Sequence, residues 1–221
     1  MVIFMKNLLL LASAFIIGST FADGLHGEAE IANGKDWRGY QLSAQVAPAV
    51  SLGCELGTFD IKLESLSTPD EAEYTGSTQL NIHSTYSGSF SPEIGYTAGI
   101  THYTYPNGLA DSWNEFNISL AYSDFSLHID YANESEWYVK SEKSTHIALA
   151  YEHNFKPIDL KLTAGNVKFD TVNKALTYYQ LEGEYNIRQN LVLHVVKGRW
   201  SNDDNNDDNG AYTNLGLKTS F

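Results

Sequence analysis

The segment GAYTNLGLKTSF (210–221) ends the chain. Counting back from Phe221, one set of alternate residues is Thr219, Leu217, Leu215, Thr213 and Ala211. Between them lie Ser220, Lys218, Gly216, Asn214 and Tyr212. This is the period-2 alternation of a strand with two unlike faces. It runs to the last residue, where chains ordinarily fray. A terminal strand that stops on an aromatic residue needs a neighbour to close against, because an open edge invites mispairing.

The same alternation recurs upstream in segments of roughly eight to eleven residues, and helical periodicity is nearly absent. The clearest are THIALAYEHNF (145–155), YYQLEGEYNI (178–187), EFNISLAY (115–122), FSLHIDYA (125–132) and residues 160–165. Fainter ones lie near 26–36, 46–56, 58–66, 77–87, 93–105 and 191–200. The pattern predicts about twelve strands, an even number, of a length suited to a tilted bilayer crossing.

The connections alternate in length. Short ones fall at Leu56-Gly57-Thr58, Ser87-Gly88-Ser89, Ser123-Asp124, Lys156-Pro157-Ile158 and Arg188-Gln189-Asn190. Long ones fall near 37–45, 67–76, 106–114, 133–144, 167–177 and 201–210. A Greek-key sandwich has no reason to alternate in this way. A membrane barrel does, with short turns on the periplasmic side and longer loops outside. The fold class expected is therefore all-β, a transmembrane antiparallel up-and-down β-barrel. Aromatic residues sort in the same sense. Trp37, Trp113, Trp137 and Trp200 lie beside long connections, with Tyr40, Tyr105, Tyr138 and Tyr212 nearby. Phe59, Phe90, Phe125, Phe155 and Phe221 lie beside short turns or at the terminus. Two aromatic girdles are expected where a barrel meets the two headgroup regions.

Residues 1–22 read as a signal peptide: Lys6, an apolar run from Leu8 to Gly18, and Thr20-Phe21-Ala22 before Asp23. Residues 23–221 then form one barrel domain, placed in the bacterial outer membrane. The net charge of −13, from 27 acidic and 14 basic residues, argues against a nucleic-acid partner. Cys54 is the sole cysteine, so no intrachain disulfide forms.

In a membrane barrel the apolar set faces lipid and the polar set lines the interior. Ile147, Leu149 and Tyr151 are then expected outside, as are Leu127, Ile129 and Tyr131. The expected lining carries Glu30, Glu55, Asp60, Glu64, Glu93, Glu115, Asp130, Glu152, Glu182 and Glu184 against Lys62, Lys161 and Lys218. Such an acidic interior reads as a wet conduit favouring cations or dipolar solutes. The alternative is an interior plugged by salt bridges and long side chains. His102, His153, Lys197 and Arg199 fall on the lipid side, near strand ends where a charge costs least. Lys197 and Arg199 come near the long-loop rim, within reach of lipid phosphates or of water.

SNDDNNDDNG (201–210) gathers Asp203, Asp204, Asp207 and Asp208, hard oxygen ligands suited to weak Ca²⁺ binding, without the ordered spacing of an EF-hand. A solvated acidic loop is the plainer reading. His26, His83, His128 and His194 are candidates for the inward face, but no nucleophile–base–orienter set, GxSxG, HExxH or P-loop is present. No enzyme and no cofactor are expected.

Two stretches carry a family resemblance. Asp36-Trp37-Arg38-Gly39-Tyr40-Gln41-Leu42-Ser43 resembles the aromatic–Arg–Gly motif near the mature N-terminus of the TorF-like porins, a proteobacterial family. GYTAGITHYTYPNG (95–108) is similar to that family's central strand and its Tyr-Pro turn. The family usually reads Arg-Gly-x-Ser-Gln; here Gln41 and Ser43 are displaced, so no role passes to them. The resemblance implies a porin and supplies neither a solute nor a catalytic residue. Physically, Trp37, Arg38 and Gly39 at a rim suggest a structural bend, with a ligand clamp as the sharper alternative.

The function expected is passive diffusion of small solutes. The alternative is a non-conducting structural or surface-binding barrel whose loops bind a partner. Expected partners are outer-membrane lipid and lipopolysaccharide, and the barrel-assembly machinery during biogenesis. Leu215, Leu217 and Phe221 form the C-terminal assembly signal, facing lipid, with Lys218 toward the lumen.

Overall fold

A computed structural model describes residues 24–67, 78–106, 111–135, 142–170, 174–202 and 209–221. Its strands are β1 (Leu25–Ala32), β2 (Lys35–Trp37), β3 (Tyr40–Ser43), β4 (Ala47–Leu56), β5 (Phe59–Ser67) and β6 (Thr78–Ser91). They continue as β7 (Ile94–Thr104), β8 (Trp113–Tyr122), β9 (Phe125–Ser135), β10 (Glu142–Asn154) and β11 (Ile158–Phe169). The last three are β12 (Lys174–Arg188), β13 (Leu191–Asn202) and β14 (Gly210–Ser220). Among the described residues, β1 and β4 to β14 form a closed antiparallel barrel of twelve strands in chain order. The hairpin β2–β3 stands apart from this wall.

The two faces follow from the alternation. On β10, Ile147 and Leu149 are about half exposed on the outer surface, whereas Ala148 and Ala150 are buried. Across β10 and β11, Glu152 opposite Lys161 is an inward pair and Tyr151 opposite Leu162 an outward one. A slip of one residue would send every charge to the outside, so the register is strongly specified.

The barrel closes at the predicted seam. β14 pairs with β1 from Glu28 opposite Ser220 to Ala32 opposite Gly216. Phe221 extends the pairing: its N–H and carbonyl exchange 3.1 Å hydrogen bonds with Gly27, and its ring lies over the Gly27 backbone. Leu215 and Leu217 are exposed on the outer face, and Lys218 points inward to Glu184 at 2.8 Å.

Two expectations are corrected. The turn expected at Ser87-Gly88-Ser89 lies instead at Pro92-Glu93, and those three residues continue β6. Gly88 pairs with Tyr96, whose ring covers the space a side chain would fill, so the glycine serves aromatic packing and not a turn. The second concerns the aromatic bands. Phe59, Phe90, Phe125 and Phe155 do lie exposed around the short-turn rim. The described tryptophans, Trp37, Trp113 and Trp200, do not form an outer girdle. Trp113 is buried in the interior with Tyr103, Tyr105 and Ala132, and Trp37 packs against this group. Trp200 packs with Tyr40 against Val167, Phe169 and Leu176. What drew them inside is the hairpin, whose two aromatic residues each need an apolar seat. Trp137 and Tyr138 lie outside the described residues, as do residues 1–22 and Asp203, Asp204, Asp207 and Asp208.

Candidate functional site

The connection between β1 and β4, expected as a loop at the rim, folds back into the barrel. Its local reason is the sequence Trp37-Arg38-Gly39-Tyr40. Trp37 pairs with Tyr40, and both central residues have positive φ, 49° at Arg38 and 75° at Gly39. That is the backbone of a two-residue type I′ turn, which matches the twist of a hairpin. Glycine accepts it freely, but for arginine the left-handed conformation costs about 1–2 kcal/mol. A β-carbon on Gly39 would also overlap the Tyr178 ring. Gly39→Val should therefore undock the hairpin, by strain and by collision. Protease sensitivity of the 33–46 segment in the folded barrel checks this; a variant as resistant as the parent would refute it.

Offsetting the strain, the tip is held by charge. Arg38 Nη2 lies 2.6 Å from Glu115 Oε2 and 2.9 Å from Asp130 Oδ2. Its guanidinium carbon sits 4.2 Å from the centre of the Trp37 ring, a cation–π contact. Both carboxylates are fixed in turn. Glu115 Oε1 accepts from Tyr103 Oη at 3.1 Å and from Asn117 Nδ2 at 2.9 Å. Asn117 Nδ2 also reaches Asp130 Oδ1 at 2.9 Å. On the other side Asp130 Oδ2 is 2.6 Å from His146 Nδ1, and His146 Nε2 is 2.8 Å from Tyr178 Oη. A carboxylate only accepts, so Nδ1 carries a proton, and a neutral ring accepts from the tyrosine at Nε2. Side chains from β7, β8, β9, β10 and β12 thus ring the arginine.

The strands of the hairpin are tied to a different part of the wall. Asp36 accepts from Asn214 Nδ2 at 3.0 Å and from Gln180 Nε2 at 3.2 Å. Lys35 Nζ lies 3.7 Å from Glu30 Oε2, and Glu30 Oε1 is 3.1 Å from His194 Nδ1. Burial pushes the Asp36 carboxyl up, with Lys35 and the Asn214 amide pulling the other way. For Arg38, burial opposes the charge, but Glu115, Tyr103 and Asp130 outweigh it and hold its pKa above the ordinary arginine value. The hairpin is a cationic tongue in an acidic barrel, seated by two aromatic clusters and two sets of polar contacts.

Toward the short-turn end the interior is open and polar. A cavity of about 630 Å³ is lined by Glu152, Asp159, Lys161, Glu182, Glu184 and Lys218, among others. Lys161 pairs with Glu152 at 2.9 Å, and Lys218 lies between Glu184 at 2.8 Å and Glu28 at 3.6 Å. Further round the wall His26 meets Asp60 at 2.8 Å, and Glu64 accepts from Asn81 at 2.9 Å with His83 at 3.4 Å.

The residues singled out from sequence fall into three groups. Glu115 and Asp130 meet at the hairpin tip. Glu152, Glu182, Glu184, Lys161 and Lys218 meet at the open cavity. Asp60, Lys62 and Glu64 alternate along β5, and Glu55 sits opposite Asp60 at the short-turn rim, exposed. Glu93 is no lining residue: it stands exposed in the β6–β7 turn, because that turn lies beyond the one expected. Arg38 and Gly39 are in the interior and not at a rim. Among the residues passed over, Asp36, Tyr103, Asn117, Tyr178, Gln180 and Asn214 hold the hairpin. His146 was legible by parity, since it shares its face with Ala148 and Ala150. Those two small inward residues, with Ala132, leave the room that the hairpin fills. Among the described residues no group of His, Cys, Asp and Glu is arranged to hold a metal ion.

No family model matches the chain, and no curated protein is similar to it in sequence. Solved structures are similar in fold. The KdgM porin superposes with a TM-score of 0.58 at 13% identity, covering 90% of this chain and 99% of that one. The NanC porin gives 0.58 at 10% identity, covering 89% and 98%. KdgM in complex with disordered oligogalacturonate gives 0.52 at 12% identity, covering 90% and 99%. The chain thus has the outer-membrane β-barrel fold seen in the KdgM and NanC porins.

Proposed function

We propose that the chain is an outer-membrane channel for passive diffusion of small solutes, narrowed from within by the β2–β3 hairpin. The observation that carries this reading is the contrast between faces. The outer surface is apolar along the strands, while the inner one is charged, hydrogen-bonded and hollow at the short-turn end. A structural barrel has no need of a polar cavity of that size. Transport and not catalysis is its role. Acids outnumber bases around the cavity, so the favoured solutes are cations or dipolar molecules. A polyanion such as the oligogalacturonate bound by KdgM would meet repulsion here.

The test is reconstitution into planar bilayers, with discrete, cation-leaning conductance steps expected. A specific observation favours the second reading, a non-conducting barrel whose loops bind a partner: the hairpin crosses the interior. Absence of conductance from a folded, inserted barrel would select it.

Residues 1–22 serve as the signal peptide in this reading, and the DWRGY motif (36–40) supports a resemblance to the TorF-like porins. Lipopolysaccharide and lipid surround the wall. The last strand is what the assembly machinery takes hold of: deleting Phe221 should lower the yield of heat-modifiable barrel in cells much more than refolding in detergent. Equal losses in both settings would make its role purely one of seam packing.

A further inference from the structure

The outer wall over β10 to β14 is not uniform. Across one row of the sheet, Leu149 pairs with Ala164, Ala164 with Tyr179, Tyr179 with Arg199, and Arg199 with Ala211. In the next row toward the short turns, Tyr151, Leu162, Leu181 and Lys197 are neighbours in the same way. The small Ala164 and Ala211 lie low between larger side chains, and the result is a shallow apolar depression of about 460 Å³ with Lys197 and Arg199 on its lining. Tyr179 is 64% exposed and Leu162 52%, so its walls stand free.

Height on the barrel gives the two cations meaning. Toward the short turns the outward residues of β13 and β14 are Leu193, Val195, Leu215 and Leu217. Toward the long connections the outward residues of β11 to β13 are Asn166, Lys168, Thr177 and Ser201, with Asn166 bonded to Thr177 at 3.0 Å. Lys197 and Arg199 stand where the apolar band ends. Both are exposed, and among the described residues neither meets a carboxylate. In a chain of net charge −13, two cations side by side on an apolar wall call for an anion at that height. An arginine and a lysine suit phosphate, and the groove below suits an acyl chain.

We infer that this groove seats a phosphorylated glycolipid of the outer leaflet, lipopolysaccharide, with its phosphates on Lys197 and Arg199 and one acyl chain along Leu162 and Leu181. The inference rests on the membrane reading proposed above, which puts the long connections on the outer-leaflet side.

The experiment compares retention of rough-type lipopolysaccharide by the purified full barrel, read by native mass spectrometry. K197A/R199A should reduce it about tenfold or more. A164W, which fills the groove and leaves both cations, should also reduce it, while K143A on β10 should not. Loss in both arms supports the site. Unchanged retention in either arm overturns it, and so does equal displacement by phosphatidylglycerol, which would make the site one for any anionic lipid. Heat-modifiable migration and liposome insertion of the parent are read first. A parent that fails to insert sinks the membrane reading and this site with it. Insertion with unaltered retention sinks the site alone.

Discussion

Replacing Arg38 with alanine is expected to raise single-channel conductance and to free the β2–β3 hairpin from the wall. The guanidinium is the one cation at the hairpin tip, and its side chain is 9% exposed against 1% for Glu115 and 13% for Asp130. Removing one partner of a buried ion pair costs about 3–5 kcal/mol in a dry interior. Water on the cavity side reduces this, so a loss of about 2–3 kcal/mol in hairpin docking is the reasonable scale. The aromatic seats of Trp37 and Tyr40 remain, and the hairpin should then sample docked and undocked positions, visible as larger and noisier conductance steps. Arg38→Lys keeps the charge but loses the guanidinium plane that stacks on Trp37 and sets Nη2 between the two carboxylates, so it should fall between the two. The barrel wall does not depend on Arg38, and heat-modifiable migration should be unchanged. An R38A channel with the parent's conductance would mean that the hairpin does not limit the path.

The second large effect concerns charge selectivity. Glu152, Glu182 and Glu184 face the open cavity, which Asp124, Asp159, Lys161 and Lys218 also line. Converting the three glutamates to glutamine leaves Asp124 and Asp159 against two lysines, so the local charge goes from net negative to neutral. Reversal potentials under a salt gradient should move from cation-leaning toward neutral. The change should be largest near 0.1 M salt, where the screening length is about 10 Å, and small near 1 M, where it is about 3 Å. Unchanged selectivity at low salt would show that ions do not pass this cavity. Because Lys218 also lies 3.6 Å from Glu28, E184Q alone should shift selectivity less than the triple variant.

The wall of the barrel was legible in the sequence because it rests on a local rule. Alternation in THIALAYEHNF (145–155) assigns Leu149 outward and Ala150 inward without reference to any other strand. Alternation in the terminal segment likewise places Lys218 inward and Leu217 outward, and a terminal Phe221 asks for the seam with β1 that it makes at Gly27. The misplaced β6–β7 turn has an equally local cause. Ser-Gly-Ser reads as a turn when nothing indicates that a tyrosine on the next strand will cover the glycine.

The site is a different matter. Asp36-Trp37-Arg38-Gly39-Tyr40 contains what a tight hairpin needs, and the sequence alone determines that a turn forms there. Whether that turn points to water, to lipid or into the barrel depends on partners far away in the chain. Asp130 is 92 residues from Arg38, and Asn214 is 178 residues from Asp36. The tryptophans show the same limit. Beside long connections, Trp113 and Trp200 suit a lipid girdle or an inner seat equally well by position. Only closure of the barrel, which sets small alanines inside β9 and β10 and brings acids from separate strands around one arginine, decided for the interior. The strand pattern is a property of neighbouring residues; the hairpin's place is a property of the enclosed volume and charge, which exist only once β14 has met β1.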